Sequence, residues 1–407
     1  MDRLLRRRLL NLMGALRDSR LTLIDGHERF KLGQAANHAG DTLHATVTVR
    51  HPAFWRQVAL GGSVGAGEAY MDGHWGVDDP VALVRMLVRN RDLLDAMETG
   101  TARFATTLLK GWHALRRNTR RGSRRNIAEH YDLGNALFRL FLDDNLMYSS
   151  AVFVAPAETL EQAQTRRLDM ICRKLELGPD DHVVELGTGW GGFALHAAGR
   201  YGCRVTTTTI SREQFELASA RVREAGLADR VTVLLSDYRD LDGQYDKLVS
   251  IEMIEAIGHQ YLDTYFAKLQ GLLKPEGMAL IQAITIEDHR YRKALREVDF
   301  IKRHIFPGSF IPSVSAMTAA MARSSDLRLF HLEDIGPSYA LTLREWRRRF
   351  LARLDEVRAL GFRERFIRMW DFYLAYCEGG FHERSIGNVH MLLTRPRCRR
   401  ASIVLPT

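Results

Sequence analysis

Short runs rich in apolar or β-branched residues alternate with helical patterns along the chain from about residue 180. These runs are residues 183–186, 205–210, 231–235, 245–251 and 277–284. Amphipathic segments at 193–200 and 212–225 separate the first three runs, with apolar residues at helical spacing. Strand, helix and strand at this spacing predict a doubly wound parallel sheet, which binds ligands at the carboxyl ends of its strands.

The first 120 residues follow a different pattern. Alternating β-branched residues predict strands at 21–25 and 42–49, and periodic apolar positions predict helices at 79–97 and 101–115. Residues 1–10 predict an amphipathic helix, because arginines interrupt the apolar core that an export signal requires. No apolar run reaches the roughly 20 residues of a membrane span, so we expect any contact with a bilayer to be made from its surface.

Two segments of this region have an unusual composition. Residues 61–68 are rich in glycine but lack the GxxxxGK[ST] ending of a phosphate-binding loop, so they are predicted to form a turn. Residues 116–125 contain six arginines and mark the predicted boundary between an amino-terminal α+β domain at 1–120 and a catalytic domain at 121–407. This run is either a solvated linker or a patch that docks on anionic lipid.

Length and composition agree with this division. A chain of 407 residues is long enough for two domains, and its net charge of +9 predicts attraction to phospholipid head groups or to nucleic acid, without deciding between them. The four cysteines show neither CxxC spacing nor a cluster with histidine. The sequence therefore predicts neither a disulfide framework nor a metal site, and it fits a reducing cytosol.

A glycine-rich motif, ELGTGWGG at 185–192, lies between the first predicted strand of the sheet and the following helix. A turn of this kind lets the backbone approach a ligand closely. The spacing is GxGxGG rather than the GxGxxG of NAD-binding proteins, and the carboxylate of Glu185 suits a cofactor with an ammonium and a sulfonium group better than a pyrophosphate. The predicted cofactor contacts are Glu185, Gly187, Thr188, Gly189, Trp190 and Gly191.

The next two predicted strands also end in polar residues. Candidate contacts to a nucleotide after these strands are Thr209, Ile210, Ser211, Gln214, Asp237, Tyr238 and Arg239. Asp237 is predicted to accept a hydrogen bond from an adenine amino group while Tyr238 packs on the ring. Each residue taken singly is equally typical of a helix cap. Together, and in this order, they predict a site for S-adenosylmethionine (SAM).

Eight motifs match those of one known family in the same order. They are HYDLGN at 130–135, MYSSAVF at 147–153, ELGTGWGG at 185–192, TTISREQ at 208–214, DYRDL at 237–241, SIEMIEAIGH at 250–259, FIKRHIFPG at 300–308 and YCEGGF at 376–381. On these motifs the chain resembles the cyclopropane fatty acid synthases and mycolic acid methyltransferases, over about 125–395 and more loosely in the amino-terminal domain. The resemblance implies a class I SAM-dependent methyltransferase fold with a mostly parallel seven-stranded sheet, and adds Tyr148 and Ser149 to the SAM pocket.

The resemblance also implies a bicarbonate ion beside the reacting methyl group. The matching positions here are Ser150, Glu255, Gln282, Ile284 and Tyr339, where the family's cysteine has become Ser150 and its histidine Gln282. Serine and glutamine can still donate hydrogen bonds to the ion. Glu255 is predicted to orient the ion, and the alternative is a carboxylate that caps the helix beginning there.

Two further residues allow two interpretations each. His130, next to Tyr131, either serves this pocket or packs in the core. Cys377 matches a family cysteine and is either catalytic or a packed, unreactive thiol.

The implied reaction adds the SAM methyl group to the double bond of an unsaturated phospholipid acyl chain. Attack by the alkene leaves a carbocation, which must be shielded from water and then lose a proton. Loss from the added methyl group closes a cyclopropane ring, which we expect, whereas loss from the chain gives a methylene or methyl-branched product. The rival functions are an amine N-methyltransferase and a SAM-binding regulator or nucleic-acid binder, for which the sequence contains no recognition motif.

The expected partners follow from this function. The basic charge and the resemblance imply an anionic phospholipid surface, an unsaturated acyl chain as substrate and no nucleic acid. The resemblance further implies a homodimer joined through the amino-terminal domain. We expect a cytoplasmic protein at the inner face of the membrane.

Overall fold

The structure is a computed structural model that describes residues 2–37, 42–93, 134–155 and 157–403. Several predictions concern residues outside these ranges. They are the helix at 101–115, the arginine run at 116–125, the domain boundary at residue 120 and the position of His130.

Strands and helices alternate through most of the described residues. The strands are β1 (Ser19–Asp25), β2 (Glu28–Leu32), β3 (Leu43–Val49), β4 (Trp75–Val77), β5 (His182–Leu186), β6 (Arg204–Thr209), β7 (Val231–Leu235), β8 (Tyr245–Ile251), β9 (Leu273–Ile286), β10 (Arg328–Asp334) and β11 (Ile386–Thr394). The helices are α1 (Asp2–Gly14), α2 (Ala53–Met71), α3 (Pro80–Arg89), α4 (Asn135–Phe138), α5 (Leu160–Lys174), α6 (Gly192–Tyr201), α7 (Arg212–Glu224), α8 (Leu262–Leu272), α9 (Asp288–Ala294), α10 (Phe300–His304), α11 (Val314–Ser324), α12 (Gly336–Ala352), α13 (Leu354–Ala359) and α14 (Glu364–His382).

The described residues form two units. The first contains those of 1–115 together with 296–307 and 343–385, and the second contains the remainder. The predicted catalytic domain at 121–407 is therefore divided in the structure. The physical reason is packing, since α14 contacts α2 and α3, and α10 contacts α2.

The first unit contains a four-stranded sheet in the order β2-β1-β3-β4. The predicted strands at 21–25 and 42–49 are β1 and β3, which pair in parallel. Helix α3 begins where a helix was predicted, with Asp79 as its N-cap. This unit has the α+β character that the sequence analysis predicted.

The prediction of a turn at residues 61–68 was wrong. These residues belong to α2, which bends at Gly62, where φ is 52°. Gly65 and Gly67 lie in close contacts, because an added Cβ would overlap the carbonyl of Gln57 at the first position and the ring of Phe300 at the second. The glycines allow close packing and a break at Gly62, and the segment is helical on both sides of that break despite the low intrinsic propensity of glycine for helix.

The second unit contains a seven-stranded sheet in the order β10-β11-β9-β8-β5-β6-β7. Strands β9, β8, β5, β6 and β7 are parallel, whereas β11 and β10 are antiparallel to their neighbours. This confirms the predicted doubly wound, mostly parallel sheet. The strand order reverses between β5 and β8, and in such sheets the ligand binds at the carboxyl ends beside this point.

Both faces of this sheet are buried. Alternate residues of one strand enter different apolar clusters: Val183 packs with Phe193 and Leu168, whereas Val184 packs in a cluster with Phe266 and Met317. Parallel strands covered on both faces are nearly continuous in apolar sequence, which explains why the strands could be predicted from their apolar runs. Among the described residues, no helix has the length and apolar character needed to cross a membrane.

Candidate active site

The turn between β5 and α6 contains three glycines in the left-handed region. Gly187, Gly189 and Gly191 have φ values of 95°, 51° and 87°, which residues with a Cβ adopt only with strain. A Cβ at Gly189 would meet no protein atom within 4 Å, so the backbone borders open space there. The turn lies at the carboxyl end of β5, beside the point where the strand order reverses.

Glu185, which opens the glycine motif, is buried on β5. Its carboxylate accepts a hydrogen bond from Thr207 Oγ1 (2.6 Å), and that hydroxyl lies 2.7 Å from Thr188 Oγ1. Burial raises the pKa of Glu185 to about 8. A bound cation would favour the ionised form, so this carboxylate fits the positively charged cofactor that the sequence predicted.

The predicted contacts after β6 lie together. Thr209 Oγ1 donates to Gln214 Oε1 (2.8 Å), and Ser211 Oγ accepts from the backbone N–H of Gln214 (3.3 Å) as the N-cap of α7. Ser211 is therefore a helix cap at the carboxyl end of β6, with Ile210 beside it. The interpretations of Ser211 as a helix cap and as part of the nucleotide site are compatible, because the cap itself positions Gln214.

Asp237 and Arg239 form an ion pair after β7. The carboxylate accepts from Arg239 Nε (2.8 Å) and Nη2 (2.6 Å). Between them, the hydroxyl of Tyr238 is buried without a hydrogen-bond partner among the described residues, and burial raises its pKa to about 12. The predicted hydrogen bond from an adenine amino group to Asp237 would have to share a carboxylate that Arg239 already binds, and it stays a prediction.

Arg167 on α5 is a fully buried cation that the sequence analysis missed. It donates from Nη2 to Ser149 Oγ (3.1 Å) and Gln164 Oε1 (2.8 Å), which fixes the segment that carries Tyr148 and Ser149. Burial lowers the pKa of Arg167 to about 10, and the charge of Glu252 is the largest opposing influence. Nothing in the sequence separates this arginine from the surface arginines around it.

Aromatic packing supports the same segment. The ring of Tyr148 lies 5.2 Å from that of Phe138, and Phe138 lies 4.8 Å from Trp190. Trp190 Nε1 donates to Asn135 Oδ1 (2.6 Å). Trp190 of the glycine motif thus joins the turn after β5 to α4 and the MYSS segment.

A second carboxylate, Glu252, follows β8 and accepts hydrogen bonds from four donors. Its Oε1 accepts from the backbone N–H of Ser150 (3.0 Å), Gln282 Nε2 (2.8 Å) and Asn388 Nδ2 (2.6 Å). Its Oε2 accepts from the hydroxyl of Tyr339 (2.7 Å). Burial raises the pKa of Glu252, and the four hydrogen bonds oppose that rise.

Glu255 lies three residues further along, in a short 3₁₀ helix at Ile254–Ala256. Its Oε1 accepts from the backbone N–H of Ile284 (2.5 Å), while its Oε2 is buried without a partner among the described residues. Burial, together with the charge of Glu252, raises the pKa of Glu255 to about 8. The two carboxylates thus have different surroundings, and Glu255 is the one that carries a proton near neutral pH.

The predicted bicarbonate ligands are brought together, but around protein carboxylates. Gln282, Tyr339 and the backbone of Ser150 bind Glu252, whereas Ile284 binds Glu255. The hydroxyl of Ser150 donates instead to the carbonyl of Ala151 (2.9 Å). Glu252 was missed although it stands in the motif SIEMIEAIGH.

Cys377 lies on α14 in the first unit, whereas these carboxylates belong to the second. Burial raises the pKa of the Cys377 thiol, and the nearby Asp299 adds to the rise. A reactive cysteine requires a lowered pKa. This environment favours the interpretation of Cys377 as a packed thiol.

Comparison with known proteins identifies the family. Residues 118–391 match the family model described as mycolic acid cyclopropane synthetase. The chain belongs to this family. It is 40% identical over 355 residues to a tuberculostearic acid methyltransferase of Mycobacterium tuberculosis, covering 85% of this chain and 82% of that protein. It is 39% identical over 348 residues to a cyclopropane-fatty-acyl-phospholipid synthase of Escherichia coli, covering 84% and 86%.

Solved structures agree with this assignment. A cyclopropane synthase from Mycobacterium tuberculosis is 28% identical, with a TM-score of 0.62 over 67% of this chain and 98% of that protein. A coclaurine N-methyltransferase bound to S-adenosylhomocysteine has a TM-score of 0.62 at 20% identity over 81% of this chain, which shows the shared fold alone. The chain is a SAM-dependent methyltransferase with the predicted class I fold.

The raised pKa values predict how stability depends on pH. Because the folded states of Glu185 and Glu255 bind a proton more tightly than the unfolded chain, their stabilising contribution is complete below about pH 4.5 and is lost as the pH rises through about 8. We expect the free energy of unfolding to decline across this window in urea titrations without SAM. Glu255→Gln should make the decline shallower by up to about 1.4 kcal/mol per pH unit.

The matched control is Glu276→Gln, at an exposed position of β9. This variant should retain the wild-type slope. Equal slopes in wild type and Glu255→Gln would show that Glu255 does not hold the proton assigned to it.

Proposed function

We propose that this methyltransferase transfers the methyl group of SAM to the double bond of an unsaturated phospholipid acyl chain and closes a cyclopropane ring by loss of a proton. The observation that supports it is the pair of half-buried glutamates, Glu252 and Glu255, at the carboxyl end of β8, beside the glycine turn of β5. Strands β5 and β8 are paired neighbours, with Leu186 opposite Ser250. An acceptor for a proton therefore lies next to the proposed SAM site.

The reaction requires a proton acceptor beside the methyl donor, in surroundings that exclude water. SAM, when bound, supplies an electrophilic methyl group on a sulfonium. An alkene is a weak nucleophile, and its carbocation reacts with water unless water is excluded. Ser150, Gln282, Asn388 and His390 are fully buried beside the carboxylates, so this side of the proposed proton acceptor excludes solvent.

The relatives support an acyl chain as the acceptor. Of the two relatives given above, one is named as a cyclopropane-fatty-acyl-phospholipid synthase and the other as a tuberculostearic acid methyltransferase. The second candidate product is accordingly a methylene or methyl-branched chain. It is favoured by the altered ion ligands Ser150 and Gln282, because a proton acceptor in a different position would select a different proton.

An amine N-methyltransferase is less well supported. Such an enzyme needs a carboxylate that receives its amine substrate, and the Oε2 of Glu255, which has no partner among the described residues, can serve as one. The coclaurine enzyme, however, shares the fold at 20% identity, whereas the relatives that are 40% and 39% identical are named for tuberculostearic acid and for fatty acyl phospholipids.

The basic surface supports access to the substrate from an anionic membrane. The net charge of +9 attracts anionic phospholipids, with roughly 1 kcal/mol for each Lys or Arg near the surface. Peripheral binding at the inner face of the membrane is part of the proposal. A homodimer through the amino-terminal unit remains a prediction.

The function is tested by gas chromatography with mass spectrometry of fatty acids from a bacterial host that lacks its own cyclopropane synthase. We expect monounsaturated chains to gain one CH2 and to lose the reactivity of an alkene. The same gain of mass with a surviving double bond would identify the methylene or methyl-branched product. Unchanged fatty acids, with the protein present and able to bind SAM, would overturn an acyl-chain acceptor.

A further inference from the structure

Glu252 is placed at the centre of the catalytic unit. It directly follows β8, which pairs with β5 beside the glycine turn. The next residue, Met253, lies so close to Gly187 that an added Cβ would meet Met253 Cγ at 3.3 Å. The backbone N–H of Ser150 ties Glu252 to the segment that carries Tyr148 and Ser149. Glu252 therefore lies between two groups of proposed SAM contacts, the glycine turn and the segment of Tyr148 and Ser149.

The backbone at Glu252 is strained. Its φ is 47°, a conformation that costs a non-glycine residue on the order of 1–3 kcal/mol. Glycine would adopt it without that cost. Strain of this kind at a site rich in ionisable groups indicates that the side chain has a function there.

The hydrogen bonds leave one oxygen able to react. Among the described residues, three donors bind Oε1, which has no further capacity, whereas Oε2 accepts one hydrogen bond, from Tyr339. A carboxylate oxygen has two lone pairs in the plane of the group. Oε2 therefore keeps one lone pair for a proton.

The neighbouring side chains favour the ionised form of Glu252 more than that of Glu255. Four donors and the buried Arg167 favour the negative charge, whereas Glu255 accepts a single hydrogen bond from a donor outside its own short helix. When two carboxylates share a site, the better-solvated one ionises first and keeps the other protonated. Glu252 is thus the base of the pair and Glu255 its neutral partner.

We infer that Glu252 is the proton acceptor of the reaction and takes the place of the bicarbonate ion that the family resemblance implies. The inference rests on the proposed acyl-chain function. In this step, a C–H bond of the carbocation in the methylated acyl chain breaks. Its electron pair forms the ring bond or a new double bond, and the proton passes to Oε2 of Glu252. The neutral acid returns its proton to water between turnovers.

A network of hydrogen-bonded side chains positions Glu252. His390 Nε2 lies 3.1 Å from Gln282 Oε1, and Lys174 Nζ lies 3.0 Å from His390 Nδ1. Lys174 in turn pairs with Glu333. Because His390 accepts from Lys174, it donates to Gln282, which fixes the amide of Gln282 with its NH2 group toward Glu252. These are positioning residues, since they act through Gln282.

The test uses the purified full-length protein, SAM and vesicles of monounsaturated phosphatidylglycerol in buffer depleted of carbon dioxide and bicarbonate. The wild type should retain its rate when bicarbonate is removed. Glu252→Gln should lose at least about 100-fold in turnover, the lower range for loss of an acid–base group, with little change in the Kd for SAM. Glu252→Gly removes the same carboxylate and also relieves the strain at φ 47°. It should regain part of the activity when formate or bicarbonate is added.

Glu176 supplies the matched controls. It is an exposed glutamate, also with positive φ (54°), so Glu176→Gln and Glu176→Gly make the same changes away from the site. Both should retain wild-type turnover and show no response to formate.

Three outcomes would overturn the inference in distinguishable ways. Product formation by the wild type that stops without bicarbonate would restore the ion as the base. Wild-type rates in Glu252→Gln would remove Glu252 from the proton transfer. In both cases the acyl-chain function stands. No product from the wild type with or without bicarbonate would overturn the proposed function, and the role of Glu252 with it.

Discussion

Gly189→Val is expected to abolish SAM binding, with a Kd at least about 100-fold weaker, which corresponds to roughly 2.8 kcal/mol. No protein atom lies within 4 Å of the Cβ position, so the protein itself has room for the two added methyl groups. The space that they fill is the space beside the glycine turn that we assign to the cofactor. Isothermal titration calorimetry with S-adenosylhomocysteine measures the loss directly.

The control must separate lost space from backbone strain, because valine at a φ of 51° is strained in any surroundings. Gly226 has a φ of 67°, is exposed after α7 and also has no atom within 4 Å of its Cβ position. Gly226→Val should lower the melting temperature and leave the Kd unchanged. If both variants lost affinity equally, the effect would come from strain, and the assignment of the turn to SAM would fail.

The fold could be predicted from the sequence because its signals are local. Apolar runs such as residues 245–251 correspond to buried strands, and Ser211 signals the start of α7 through a hydrogen bond to a residue three positions away. The glycines of the turn were informative for the same reason, since positive φ is a property of single residues. The motifs then identified the family before any contact was known.

The arrangement of the carboxylates could not be predicted in this way. Glu252 meets Gln282 of β9 and Asn388 of β11 only because three strands lie side by side in a fixed register, with Ile251 opposite Gln282 and Ile284 opposite Asn388. The resemblance grouped Ser150, Gln282 and Tyr339, which contact the same carboxylate in the structure. The resemblance assigned these residues to an ion, because it matches each position separately to a family ligand. Glu252 matches none of those ligands and was therefore not considered.

The error at residues 61–68 has a related cause. Glycine predicts a turn when only the backbone is considered, but Gly67 is needed in α2 because the ring of Phe300 occupies the place of its side chain. That contact joins residues more than two hundred positions apart. Tertiary packing therefore determined the conformation against the local preference.

Arg167→Met is expected to lower the free energy of unfolding by about 3–5 kcal/mol, the usual cost of removing one partner from a buried charged group. Arg167 is fully buried, and the carboxylates of Glu252 and Glu185 both act on its charge. Methionine keeps the apolar volume but leaves those carboxylates without this compensating cation. Their pKa values should rise further, so turnover should fall as Glu252 loses its charge. Urea unfolding and a pH profile of turnover test the two effects.

Arg166 provides the comparison from the adjacent position of α5. Its side chain is 40% exposed and pairs with the less exposed Glu158, so Arg166→Met should cost less stability than Arg167→Met and leave turnover unchanged. Equal destabilisation by the two substitutions would indicate that Arg167 contributes packing alone. A large loss of stability at Arg167 with an unshifted pH profile would show that its charge supports the fold without controlling the ionisation of Glu252. The neutral state of Glu255 would then depend on its own burial and on Glu252 alone.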